Sequence, residues 1–215
     1  MHSVRIVLVD DHKLVRQGMR ALLEAQPGFE VVGEASTGQQ ALQLIQTLSP
    51  DVSILDVMMP DLNGIETAKM IHQRGIQTRI VFLSMHANAA YAVRALQSGA
   101  LAYVLKDSDF SEIVQAIHNA LEDKRYLSTA IADEVFEMLL SVDGEKADTL
   151  EILSPREREI LQLVAEGNTN SAIAEKLSLS IRTVESHRAR VMSKLRFGSH
   201  SDLVRYAVQK GLISP

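Results

Sequence analysis

The 215 residues contain no cysteine, which excludes disulfides and thiolate metal sites and gives no reason to look to an oxidising compartment. The opening Met1-His2-Ser3-Val4-Arg5 leads into a short apolar run that meets an acidic pair. It lacks the long apolar core of a signal peptide or a membrane span, so a cytoplasmic protein with no membrane role is expected. Internal repeats and low-complexity tracts are missing as well. What remains is an ordinary globular composition, 46% hydrophobic and 23% charged, in a chain long enough for two domains of about 100 residues each.

Charge is distributed unevenly. Up to Thr149 the chain has 12 Lys and Arg against 20 Asp and Glu, and from Leu150 onward it has 10 against 7. An acidic first part therefore carries a basic last part. Such an imbalance is common on solvated faces, and it is also what a nucleic-acid module needs in order to meet phosphates.

Periodicity divides the first part into alternating elements. Strands are predicted over residues 4–9, 30–34, 52–55, 80–83 and 101–105, with helices over 13–26, 39–48, 65–73, 87–97 and 110–121. The strands are β-branched and apolar, as strands covered on both faces must be. Five strands alternating with five helices predict an α/β doubly wound five-stranded parallel sheet.

Polar residues then fall at one edge of that sheet. Asp10 and Asp11 follow the first strand, Asp56 ends the third, Ser84 ends the fourth and Lys106 ends the fifth. Ligands bind in such sheets at the carboxyl ends of the strands. Three carboxylates converging there repel one another unless a cation lies among them, and their hard oxygens suit Mg²⁺. A lysine, expected to be exposed, and a hydroxyl opposite them complete a pocket for a phosphoryl group, which an aspartate accepts as an acyl phosphate. From Asp56 the chain runs through Pro60 to Gly64, punctuation that also suits a plain surface loop.

With these residues in place, 4–125 resembles the receiver domain of two-component response regulators, a flavodoxin-like fold. The resemblance implies that Asp56 is the phosphoacceptor. It implies that Mg²⁺ is held by Asp10, Asp11, Asp56 and the backbone carbonyl of Met58. Ser84 and Tyr103 would be the switch residues, and Lys106 the phosphate-contacting lysine. One departure is Asp107, standing where many receivers have a proline in a cis peptide.

From Leu153 the pattern changes to short helices. Ser154-Pro155-Arg156-Glu157 reads as an N-cap, a first-turn proline and a capping box. Helices over 170–177 and 181–195, separated by Ser178-Leu179-Ser180, follow the helix-turn-helix plan, with the second helix polar and basic. A small helical bundle with a solvated charged face is the alternative. The stretch from Leu153 to Glu159, with Ile173-Ala174, Thr183-Val184, His187 and Lys194-Leu195, resembles the LuxR-type DNA-binding domain of the NarL/FixJ subfamily, a small all-α four-helix unit. Departures are Ser171 and Ala172 after Asn170, and Glu185 where many members have lysine.

The two resemblances imply a receiver domain at 1–126, a linker helix and tether at 127–149, and a helix-turn-helix domain at 150–215. DNA contacts are expected from Thr169, Asn170, Ser180, Arg182, Thr183, Ser186, His187, Arg188, Arg190 and Lys194. His187 suits packing or phosphate support better than a metal. A dimer contact is expected at Leu203, Val204 and Ala207 of the fourth helix, with burial inside the domain as the alternative. The implied function is transcription regulation switched by phosphorylation of Asp56 by a sensor histidine kinase, with a homodimer binding double-stranded operator DNA and with its own phosphoryl transfer and autodephosphorylation as the only enzymatic activities. Two alternatives are a Mg-dependent aspartyl-phosphate phosphatase and a receiver that works without phosphate. The phosphatases place their nucleophile after the first strand, which is not the position of Asp56.

Overall fold

A computed structural model of the protein describes residues 3–140, 150 and 152–213. The chain divides into two compact units, Met1–Ser141 and Val142–Pro215. The first unit alternates β1 (Val4–Val9), α1 (Lys13–Ala25), β2 (Phe29–Ala35), α2 (Gly38–Leu48), β3 (Val52–Asp56), α3 (Gly64–Gln73), β4 (Arg79–Ser84), α4 (Ala89–Gln97), β5 (Ala102–Leu105) and α5 (Phe110–Leu121). It ends with β6 (Tyr126–Leu127) and α6 (Thr129–Leu140). The strand order is β2-β1-β3-β4-β5-β6, and every neighbouring pair is parallel.

The sheet therefore has six strands, not the expected five. The extra strand pairs Tyr126 with Ala102 and Leu127 with Tyr103. Two residues are too few to display a period of two, so the pattern could not reveal it.

Alternation along β1 shows why the sheet is covered on both sides. Ile6 and Leu8 join one apolar cluster, with Met19 and Leu23 of α1 and Ile113 and Ile117 of α5. Val7 and Val9 join the other, with Leu42 and Ile45 of α2, Ile65 and Ile71 of α3, and Ala92 and Ala95 of α4. Each such fully buried Ile, Leu or Val contributes roughly 1.5–3 kcal/mol. Helix α6 belongs to this second face, because Ile131 and Val135 are buried in the same cluster. The tether expected over 141–149 lies outside the described residues.

Side-chain caps fix several helix starts. Asn88 accepts from the Ala90 amide (2.9 Å), so α4 begins at Ala89 and not at the predicted 87. In the second unit, Ser154 and Glu157 exchange hydrogen bonds as the expected capping box at the start of α7 (Pro155–Ala165). Thr169 caps α8 (Asn170–Lys176), Ser180 caps α9 (Ile181–Leu195), and Ser199 with Asp202 forms a second capping box on α10 (His200–Gln209). Ile160, Leu161, Ile173, Val184, Val191, Leu203 and Ala207 meet in one core. Among the described residues no helix is long and apolar enough to cross a membrane.

Candidate functional site

Parallel pairing brings the strand ends to a common edge. Asp56 is the last residue of β3 and sits beside Leu83 of β4, while Asp10 follows β1. Both are buried, at 4% and 3% exposure. The backbone turn after β3 needs a glycine: a Cβ on Gly64 would strike the Asp56 carbonyl, and its amide donates to the Val57 carbonyl (3.0 Å).

Lys106 reaches across this edge. Its Nζ lies 2.5 Å from Asp56 Oδ2 and 2.7 Å from Asp10 Oδ2, and its side chain is 5% exposed. The expectation of an exposed lysine is corrected. The Lys106 amide donates to the Ser84 carbonyl (2.8 Å), which carries the β4–β5 ladder one residue past Leu105 and fixes the base of the side chain at the sheet edge. Met58 donates its amide to Asp56 Oδ1 (3.2 Å), and His12 donates its amide to Asp10 Oδ1 (2.8 Å). Ligand atoms of Asp10, Asp11, His12 and Asp56 all lie within 4.8 Å of one another. His12, whose Nδ1 is 2.9 Å from Asp11 Oδ1, was not anticipated as a neighbour of the acids. Its position directly after the acidic pair was the available signal.

Burial pushes the Asp56 carboxyl up to about 6, with Asp10 adding to the effect and Lys106 opposing it. Burial alone would lower the Lys106 ammonium, but Asp56 and Asp10 outweigh it and hold the lysine above its ordinary value. One cation facing several acids leaves an excess of negative charge, and these oxygens fit a hard divalent cation. Ser84 is fully buried, and its Oγ accepts from the His86 amide (3.0 Å). Tyr103 is fully buried too, donating its hydroxyl to the His86 carbonyl (2.9 Å); burial keeps that hydroxyl protonated. Among the described residues there are no cis peptides, so Lys106-Asp107 is trans.

In the second unit the predicted DNA-contacting residues separate into two groups. Arg182, Glu185, Ser186, Ala189, Arg190 and Ser193 form the exposed stripe of α9, with Val184 and Val191 on the opposite, buried side. Thr183 is half-buried and its hydroxyl bonds that of Ser180 (2.7 Å). The other group is tied into the fold. Arg188 donates to Asn170 Oδ1 (2.5 Å), joining α9 to α8. Lys194 donates to Glu157 Oε2 (2.7 Å) and to the Ile152 carbonyl (3.1 Å). His187 is half-buried with a buried Nδ1 that has no hydrogen-bond partner among the described residues. The expected dimer contact is corrected in part, because Leu203 (1% exposed) and Ala207 (0%) belong to the unit's own core, which their spacing on α10 aims inward. Val204 stays half-exposed.

An acidic, lysine-crossed pocket at the carboxyl edge of a parallel sheet, followed by a capped helix-turn-helix, defines a receiver with a DNA-binding output unit. Residues 6–118 match the response regulator receiver domain family, and residues 151–207 match the luxR family of bacterial regulatory proteins. The chain is 38% identical to the transcriptional regulatory protein LiaR of Bacillus subtilis (strain 168), over 98% of this chain and 100% of that one. It is 34% identical to the nitrate/nitrite response regulator protein NarL of Escherichia coli (strain K12), over 95% of each. Among solved structures it is similar to the response regulator ChrA of a heme-sensing two-component system (32% identity, TM-score 0.55, 99% of this chain and 100% of that one). It is also similar to RcsB in its complex with DNA (28%, TM-score 0.59, 97% and 99%). The chain belongs to the two-component response regulators with a LuxR-type DNA-binding domain, and is a transcription regulator. That family consists of DNA-binding regulators, not of enzymes in the usual sense.

Proposed function

We propose that Asp56 receives a phosphoryl group from a sensor histidine kinase and that this modification controls the binding of operator DNA. The observation that carries the reading is Lys106, whose ammonium lies against both Asp56 and Asp10 at the sheet edge. In the transfer an Asp56 carboxylate oxygen bonds to phosphorus, the phosphorus–nitrogen bond of the donor breaks, and the departing imidazole nitrogen keeps the electron pair. Asp10, Asp11, Asp56 and the Met58 carbonyl would hold Mg²⁺, which when bound neutralises the carboxylates and the phosphoryl oxygens. Lys106 then exchanges a carboxylate partner for a phosphoryl oxygen, and Ser84 and Tyr103 adjust to the new charge. The same pocket with a water in place of the donor supports slow autodephosphorylation.

Phosphorylated protein is proposed to bind DNA as a homodimer on an inverted or tandem repeat, with α9 in the major groove. Arg190 lies on the exposed stripe with Ser186 and Arg182, whereas Arg188 is turned about 200° away at 100° per residue. Arg190 is therefore assigned to base reading and Arg188 to holding the α8–α9 corner. Val204 is the part of the predicted dimer contact still exposed. Intact mass after incubation with acetyl phosphate or phosphoramidate and Mg²⁺ tests the first half: one phosphoryl group on the wild type and none on Asp56→Asn is expected, and equal labelling overturns it. Titration on operator and scrambled DNA tests the second. Arg190→Ala should lose roughly 1–3 kcal/mol of discrimination, while Arg188→Ala should weaken both DNAs alike.

A further inference from the structure

The pocket loop is bracketed by a residue that belongs to the start of the linker helix. Ser128 is fully buried between β6 and α6. Its Oγ accepts from the amide of Leu105 (3.1 Å), the residue before Lys106, and lies 3.0 Å from the hydroxyl of Ser108, two residues after it. The same Oγ donates to Glu112 Oε2 (2.8 Å) in the first turn of α5. Lys106 is thus held from both sides by a single atom. Hydrogen bonds from Ser108 and Ser128 outweigh desolvation in keeping the Glu112 carboxyl below its ordinary range, so it accepts as a carboxylate.

The backbone of Ser128 continues the connection. Its amide donates to the Tyr103 carbonyl (3.0 Å), and its carbonyl receives the Ile131 amide (3.0 Å) at the entry to α6. One and two turns on, Ile131 and Val135 are buried with Tyr103 and with Tyr91 and Ala92 of α4.

We infer that Ser128 is a positioning residue for Lys106, and that through it the docking of α6 and phosphoryl transfer at Asp56 are linked. The inference rests on the assignment of Asp56 and Lys106 proposed above. Linkage of this kind is reciprocal: if drawing Lys106 toward a phosphoryl group changes how firmly α6 docks, then loosening α6 changes how well Lys106 serves the transfer. The linker helix is in this sense part of the phosphorylation site.

The full-length chain tests this with phosphoramidate and Mg²⁺, followed by intact mass, for the wild type, Ser128→Ala, Ser128→Thr and Glu112→Ala. Ser128→Ala should slow labelling by roughly tenfold, as expected when a group at the reaction is slightly misplaced. Ser128→Thr, which keeps the hydroxyl, should restore most of the rate, and Glu112→Ala should slow it less than Ser128→Ala does. Hydrogen exchange over residues 129–140 should respond to phosphorylation in the wild type and lose that response in Ser128→Ala. Wild-type labelling rates in both alanine variants would overturn the inference, as would a Ser128→Thr protein as slow as Ser128→Ala, since the loss would then follow packing and not the hydroxyl. Should Ser128→Ala fail to fold, the rate of Glu112→Ala alone decides. Failure of the wild type to label at Asp56 would instead sink the assignment of the phosphoacceptor, so the two failures are distinguishable.

Discussion

In the first unit the buried Asp56 carboxyl is pushed up to about 6 by its surroundings, although a lysine touches it. In the second unit the Glu157 carboxyl is equally inaccessible, at 2% exposure, yet it is held below its ordinary range. Desolvation acts upward on both. Glu157 overcomes it because Lys194 and the Ser154 amide and hydroxyl all serve its one carboxylate. Asp56 does not, because desolvation weighs most there and Asp10, which shares its lysine, adds to it. A carboxylate satisfied by its neighbours holds a fold together, whereas one left short of positive charge is poised to take up a cation or a phosphoryl group.

Removing Lys106 should sharpen that contrast most. Lys106→Ala leaves Asp10 and Asp56 buried together with no cation, and a loss on the order of 3–5 kcal/mol from the first unit is expected at neutral pH. The loss should shrink on adding Mg²⁺, and also on acidification, because without Lys106 to hold it down the Asp56 carboxyl takes up its proton at a higher pH than in the wild type. Hydrogen exchange of the β1 and β3 amides in the full chain measures it. If their protection is unchanged, the acids are not in conflict and the contrast with Glu157 is wrong.

The converse change is Glu157→Ala, which removes half a capping box and strands Lys194. We expect about 2–3 kcal/mol of lost protection in α7 and α9. Lys194→Met should lose less, because that side chain is 40% exposed. If Lys194→Met instead leaves stability untouched and flattens the salt dependence of DNA binding, the lysine is a phosphate contact and its bond to Glu157 is incidental.

A smaller effect of opposite sign is expected at Asp56. Its folded value, about 6, lies above the ordinary aspartate value of 3.8. Between those values the folded protein holds a proton that the unfolded chain has lost, so stability falls as pH rises through the window. Asp56→Asn removes that penalty. It should stabilise the first unit by about 1–2 kcal/mol at pH 7 and hardly at all near pH 4. A variant less stable than wild type at pH 7 would place Asp56 in the same class as Glu157.

Much of this contrast could be read from the residues in order. Apolar runs ending on Asp10, Asp56, Ser84 and Lys106 were enough to put the pocket at one edge of the sheet, because parallel strands share a direction. The capping box at Ser154 was equally plain, being local. What escaped was set by long-range packing. Lys106 is buried where Asp10 and Asp56, from two other strands, close on its ammonium, β6 is two residues long, and the inward turn of Leu203 and Ala207 is one of two faces an amphipathic helix can present. Ser128 gave no signal at all, since a serine before a helix reads as a cap and nothing local ties it to residues 105 and 108.

His187 is the exception within the second unit and gives the finest test. It lies on α9 with a buried Nδ1 that has no hydrogen-bond partner among the described residues, and its pKa is lowered, first by burial and then by Arg190 and Arg156, with Glu157 acting the other way. A histidine whose folded value is depressed contributes stability that is present above the unfolded value, 6.5, and is lost as pH falls through the folded one. His187→Gln should therefore flatten the acid side of the second unit's stability profile, by less than about 1 kcal/mol for a half-buried side chain. DNA separates the two roles this residue could have. A phosphate beside the imidazole would favour its charged form, so a phosphate-supporting His187 makes operator affinity rise as pH falls from 7 to 6, while a packing His187, protonated alike in free and bound protein, adds no pH dependence of its own. Titrating wild type and His187→Gln on the same operator at both pH values, at fixed salt, should show the same change in affinity for both; a gain in the wild type alone would transfer His187 from the core of the unit to its DNA-binding face.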